Sequence, residues 1–230
     1  MQFSDFQDLI SVPRLAKYVF ASNGNQDKAM RLYRANLRLS QELFAILSVF
    51  EIVLRNKIDQ HYRLVFAPIA ESEDWLLHAA NPGGYLSAHG CQLSRKSVLD
   101  EINDLGRNYN HDKLVAELGF GFWRFQFASK EFMSAGSTLH KIFPLRPHKT
   151  NHTEIFNKLG HINKIRNRIA HHEPICFDVS GAISSEYSLQ NYNHFIDLFS
   201  WMNVNVSDLL SDIDNVQNAI DIIKEMRETY

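Results

Sequence analysis

The chain has 230 residues, 45% of them hydrophobic and 22% charged, and a formal net charge of −2. This is the length and composition of an ordinary soluble globular protein able to bury a sizeable core. The near-neutral balance argues against a protein that coats nucleic acid by bulk charge, and no apolar run approaches the roughly 18 uncharged residues needed to cross a bilayer.

The start, Met1-Gln2-Phe3-Ser4-Asp5, has neither a basic leader nor a cleavable apolar segment, so secretion is not expected. Cys91 and Cys176 lie far apart and form no paired metal spacing. A reduced, cytoplasmic compartment with free thiols is the expectation. The distribution of charge is more informative than its sum. From His140 to His172 there are seven basic residues, six histidines and one acid, Glu154; from Glu173 onward there are ten acids against Lys224 and Arg227. This pattern fits either a local polyanion site or acidic and basic faces packed on each other.

In chain order, Ser4 to Ala21 reads as two short helical pieces, with Pro13 in the first turn of the second. Asn23-Gly24-Asn25 breaks the chain. A core helix running from about residue 27 to residue 66 follows, with Asp27 as its cap or first-turn acid. Leu39, Leu43, Ile46, Leu47, Phe50, Leu54, Ile58 and Val65 recur at three-and-four spacing, and neither Gly nor Pro intervenes before Pro68. The stretch Ala67 to Ser94, with its Asn81-Pro82-Gly83-Gly84 loop, is the least regular and reads as a surface excursion.

Helices are expected from Arg95 to Tyr109 and from His111 to Leu118. The aromatic run Gly119 to Phe127 could stack bases, but between helical segments core packing is preferred. A motif helix is expected over about residues 153–172, Ile175 to Tyr187 as a loop or short hairpin, and final helices at Gln190 to Leu210 and Asp212 to Glu228. The expectation is one all-α domain spanning residues 1–230.

The motif helix carries the chemistry. At 100° per residue from Ile155, Leu159, Ile162, Ile165 and Ile169 project to about 40°, −20°, −80° and −40°, a buried stripe that also takes in Arg166 at about 20°. A buried guanidinium must snorkel out, pair with an acid or face an anion. Asn163, Asn167 and His171 form a polar row at about 80°, 120° and 160°, so Arg166 and His171 diverge by about 140°. Their convergence on one atom would need a distorted helix end or a second copy of the chain. An arginine that grips phosphate and a histidine that exchanges protons near neutral pH together suit phosphodiester cleavage without a metal. The same residues also suit a structural hydrogen-bond cluster. His171-His172-Glu173 is a poor metal site, because adjacent helical histidines diverge by about 100°; no metal or other cofactor is expected.

Arg166-Asn167-Arg168-Ile169-Ala170-His171 resembles the Arg-polar-x-x-x-His signature of the HEPN superfamily of helical ribonucleases. The wider pattern is similar to bacterial Abi-like (abortive infection) proteins. It comprises Leu37-Arg38-Leu39-Ser40 leading into Phe50 to Asn56, then Glu117-Leu118-Gly119-Phe120-Gly121-Phe122-Trp123, then Arg166 through Pro174. The resemblance implies an HEPN-like helical bundle with additional peripheral helices, often a homodimer with a composite site. It also implies RNA cleavage by attack of a ribose 2′-hydroxyl, in phage defence or as a toxin, with an antitoxin or noncoding RNA as a further partner. On this chain Arg166 would stabilise the phosphate, His171 would move the proton and Asn167 would orient the pair. Arg168, His172, Lys164, Glu51, Arg55 and Asn56 stand as auxiliary or RNA-binding candidates. Arg55 to His61 is a second, imperfect match. His61 reads there as a core histidine, and Arg55 as a partner for Glu51 or Asp59. The alternative function is a non-catalytic module that binds RNA, a nucleotide or a protein through the same basic pocket.

Overall fold

The computed structural model describes residues 1–70 and 74–228, and these form an all-α protein. Strands are absent among the described residues, which hold one isolated antiparallel bridge, Phe177 to Ile183. None of their helices is long and apolar enough to cross a membrane. Residue contacts gather into two compact units: Met1–Ser48 with Lys164–Ile196 and Val206–Tyr230, and Val49–Asn163 with Asp197–Asn205.

In the first unit, α1 (Phe3–Ile10) and α2 (Val12–Ala21) meet at Ser11, and Pro13 lies in the first turn of α2 as expected. Asn25 caps α3 (Gln26–Ala70) by accepting the Lys28 amide at 2.9 Å; Asp27 is a first-turn acid beside it. Leu39, Leu43, Ile46 and Leu47 are buried as their spacing requires. They share this core with Leu15, Tyr18, Tyr33, Phe177 and Phe195, and Tyr18 packs edge-on against both Tyr33 and Phe177 at 5.2 Å. The final helix, α12 (Val216–Glu228), buries Val216, Ala219, Ile220 and Ile223, a single i, i+3, i+4, i+7 face.

The expected helix over Gln190 to Leu210 is instead α10 (Glu186–Trp201) followed by the single turn α11 (Val206–Leu209). It stops because Asn203 takes a left-handed conformation (φ 55°), while the Asn203 and Val204 amides turn back onto Ser200 and Phe199.

In the second unit Phe50, Leu54 and Ile58 continue the buried face of α3, and Tyr62 and Phe66 extend it; Val65 is only half-buried. Pro68 does not end the helix. The carbonyl it leaves unbonded belongs to Leu64, a residue 79% exposed, where water can satisfy it.

The expected surface excursion is also corrected, residues 71–73 lying outside the described residues. Trp75, Leu76, Ala79 and Ala80 of α4 (Trp75–Ala80) are fully buried, together with Leu86. Irregular backbone here serves close packing: a Cβ added to Gly84 would lie 2.2 Å from the His78 carbonyl oxygen. Helices α5 (Gln92–Leu105), α6 (His111–Glu117), α7 (Phe120–Phe125) and α8 (Ser129–Ser134) follow. Phe120, Phe122, Trp123 and Phe127 are buried, so the aromatic run is core, with Phe50 against Phe120 and Phe127 against Phe143.

Candidate functional site

The motif helix, α9 (His152–Ala170), opens on a reciprocal cap. The Asn151 carboxamide accepts the Thr153 and Glu154 amides at 2.9 and 3.1 Å, and Glu154 returns a carboxylate to the Asn151 amide at 2.8 Å. Ile155, Leu159, Ile162 and Ile165 are buried as projected, while Ile169, on the last turn, is half-buried.

The helix end is closed by backbone geometry. The His171 amide still bonds the Asn167 carbonyl at 2.9 Å, so helical winding persists through this residue. His172 then turns left-handed (φ 56°); its amide bonds Ile169 at 3.0 Å and the Glu173 amide reaches Arg168 at 2.8 Å. That pair of bonds is the Schellman arrangement, normally built on glycine, with Pro174 following to prevent continuation. The cap therefore contains no distortion that would rotate His171 toward Arg166, and the separation of about 140° set by helical winding stands.

Arg166 resolves its position on the apolar stripe by snorkelling. It is half-buried, its Nη1 lies 3.5 Å from Asn167 Oδ1, and among the described residues it makes no ion pair. Asn167, His171 and Lys164 are exposed. Arg168 plays a structural part instead: it donates to the Pro174 carbonyl, lies 3.4 Å from the Glu173 carboxylate and covers the Tyr187 ring at 4.9 Å.

His171 and His172 line an open cavity of about 370 Å³, together with Arg14, Lys17 and Tyr18 of α2. Arg166 is not part of that lining. Arg14 Nη1 donates to the His172 carbonyl at 2.8 Å, fixing α2 against the end of α9. Arg14 and Lys17 were invisible as candidates in the sequence. Their only signal is i, i+3 spacing on a short amphipathic helix, which marks one face without saying what it meets.

Beyond the cap, the Ile175 peptide is satisfied on both sides: its amide bonds buried Asn36 at 2.8 Å and its carbonyl accepts the Ser188 hydroxyl at 2.8 Å. Of the expected Ile175 to Tyr187 loop, the part before α10, which begins at Glu186, is thereby fixed as a tight turn around Asp178, whose carboxylate accepts from the Ser180 and Ala182 amides.

The second, imperfect motif has other work. Arg55 is committed to the Ala116 carbonyl at 3.1 Å, in the last turn of α6, rather than to Asp59. Asn56 is exposed and Glu51 half-buried. His61 is half-buried with Nε2 2.9 Å from the Thr138 hydroxyl, and burial, then nearby Lys141 and His140, push its pKa down.

Asp59 instead belongs to an ionic cluster that the sequence reading missed. His111 donates from Nε2 to Asp59 at 2.7 Å and from Nδ1 to Asp74 at 2.9 Å; Trp75 and Arg63 also bond Asp59, and Tyr109 bonds Asp74. Burial opposes the imidazolium, but the two carboxylates outweigh it and raise His111 to about 9. Burial likewise opposes ionisation of Asp59 and Asp74, yet their hydrogen bonds hold both carboxyls below the usual range. Among the described residues no group of three His, Cys, Asp or Glu is arranged to hold a metal ion. Cys91 and Cys176 are free and buried, and burial pushes Cys176 up to about 12. Comparisons of this chain with protein-family models, with characterised proteins and with solved structures return no match.

Proposed function

We propose that the C-terminal end of α9 is the catalytic centre of a metal-independent RNA endonuclease of HEPN type, built on an HEPN-like bundle and acting in phage defence (abortive infection) or as a toxin. The observation that carries the reading is an uncompensated set of groups on one helix end. Arg166 and His171 have no acidic partner among the described residues, and Asn167 lies between them. In this scheme Arg166 holds the phosphate and stabilises its developing charge. The 2′-hydroxyl attacks the adjacent phosphorus, His171 transfers a proton at the attacking or leaving oxygen, and Asn167 orients the pair. The products are a cyclic phosphate and a free 5′-hydroxyl. Because Arg166 and His171 point apart on one regular helix, a homodimer that brings them together across a two-fold axis completes the site.

The test is cleavage of single-stranded RNA by the purified protein in EDTA, with product ends read by mass spectrometry. Arg166→Ala and His171→Ala each lower the rate by at least about 100-fold, the lower range for a lost acid–base group. Undiminished cutting by the double variant refutes the assignment. One observation favours a second reading, a non-catalytic RNA- or nucleotide-binding module: the cavity beside His171 gathers Arg14, Lys17 and His172 without Arg166. RNA binding with no cleavage under any of these conditions selects it.

A further inference from the structure

The cavity beside His171 adjoins another. This larger one, about 680 Å³, opens between α2, the loop after Pro174 and the first turns of α10, and Lys17 and Pro174 line both. Every residue lining them belongs to the first compact unit. From this geometry we infer a two-chamber nucleotide groove: an RNA phosphate sits against Arg14, Lys17, His171 and His172, and the adjoining base enters the larger chamber beside Phe20 and Tyr187. The inference rests on the ribonuclease reading and names the surface that holds its substrate.

Charge supports the smaller chamber. Among the described residues no acid pairs with Arg14, Lys17, His171 or His172. Glu173, the acid in the smaller chamber's lining, lies 3.4 Å from Arg168, while Asp178 and Glu186 line the larger chamber. In the smaller chamber Arg14 and Lys17 stand against Glu173 alone, which already faces Arg168, so a phosphate is the complementary group there.

Shape and chemistry support the larger chamber. Its volume falls within the range of small-ligand sites. Phe20 is 75% exposed at its edge and has no ring partner among the described residues, so its face is open for a base to stack on. Tyr187 is held in the wall with the Arg168 guanidinium over its ring. Lys17, reaching both chambers, sits where the strand passes from one to the other.

The experiment measures binding by fluorescence anisotropy, using a short single-stranded RNA whose 2′-O-methyl sugars block cleavage, over a series of salt concentrations. Lys17→Ala weakens binding about tenfold and lowers the slope of log affinity against log salt by about 0.7, one phosphate contact on a single strand. Phe20→Ala weakens binding about tenfold with the slope unchanged, because stacking carries no charge. Arg107→Ala, an exposed arginine of the second unit, binds as the parent does. Lys17 and Phe20 are exposed, so both variants keep the parental melting temperature. Parental binding by both variants overturns the groove, as does absence of binding by the parent. Mononucleotides binding as tightly as the RNA overturn a groove for a continuous strand. If the variants weaken binding but the parent cleaves no RNA, the groove stands and the ribonuclease reading falls. If the parent cleaves and the two variants bind and cleave equally well, the reverse holds.

Discussion

His111→Gln isolates the ionic cluster of the second unit. The imidazole is only 10% exposed and both its nitrogens donate to carboxylates, so its charge is desolvated and fully used. Raising it from 6.5 to about 9 corresponds to about 3 kcal/mol of preference for the charged form in the folded protein. A histidine raised on folding stabilises fully below its unfolded value and loses that contribution as pH rises through its folded value. His111→Gln is therefore expected to cost about 3 kcal/mol at pH 6, shrinking steadily toward pH 9.5. Glutamine keeps much of the volume and a donor, which limits the cavity contribution. The buried thiols Cys91 and Cys176 are also raised and also withdraw stability at high pH, so the informative quantity is the parent-minus-variant difference at each pH. Urea unfolding followed by tryptophan fluorescence suits the measurement, since Trp75, Trp123 and Trp201 all belong to the unit that holds His111. A difference near zero at pH 6, or one that does not change between pH 6 and 9.5, refutes the ionic account.

Two further perturbations test the local geometry. His172→Gly removes a Cβ from a left-handed residue and is expected to raise stability by about 0.5–1 kcal/mol, whereas His172→Val lowers it by about 1 kcal/mol or more; a melting temperature that falls for glycine contradicts the cap assignment. Gly84→Ala places a Cβ 2.2 Å from one backbone carbonyl oxygen and 2.4 Å from another, so it is expected to cost about 1–3 kcal/mol despite an ordinary φ. Parental chemical stability in that variant would show that the Asn81 to Gly84 loop yields freely.

The helical class and the core face of α3 were legible in the sequence because they depend on spacing within one element. Leu39, Leu43, Ile46, Leu47, Phe50, Leu54 and Ile58 repeat at three and four residues, and all are buried. The end of α9 was legible to within two residues because Pro174 forbids continuation, but that His172 makes the left-handed turn was not. Local rules failed where a partner from distant sequence decided the outcome. Ala67 to Ser94 looks irregular because its glycines and prolines break periodicity, yet Trp75 and Leu86 are core. Arg55 looked like a partner for Glu51 or Asp59, each four residues away, but His111, 52 residues beyond Asp59, takes the Asp59 carboxylate.

The candidate site divides in the same way. The sequence by itself determined that Arg166, Asn167 and His171 occupy the last turns of one helix and that Arg166 and His171 diverge, because winding at 3.6 residues per turn follows from the backbone alone. Only the tertiary structure decided what stands next to them: Arg14 and Lys17 beside His171, Arg168 against Glu173 and Tyr187, and Phe20 at the edge of an open chamber. Those neighbours come from α2, from Glu173 in the α9 cap and from Tyr187 at the start of α10. Spacing within one helix carries no information about which other helix will cover it.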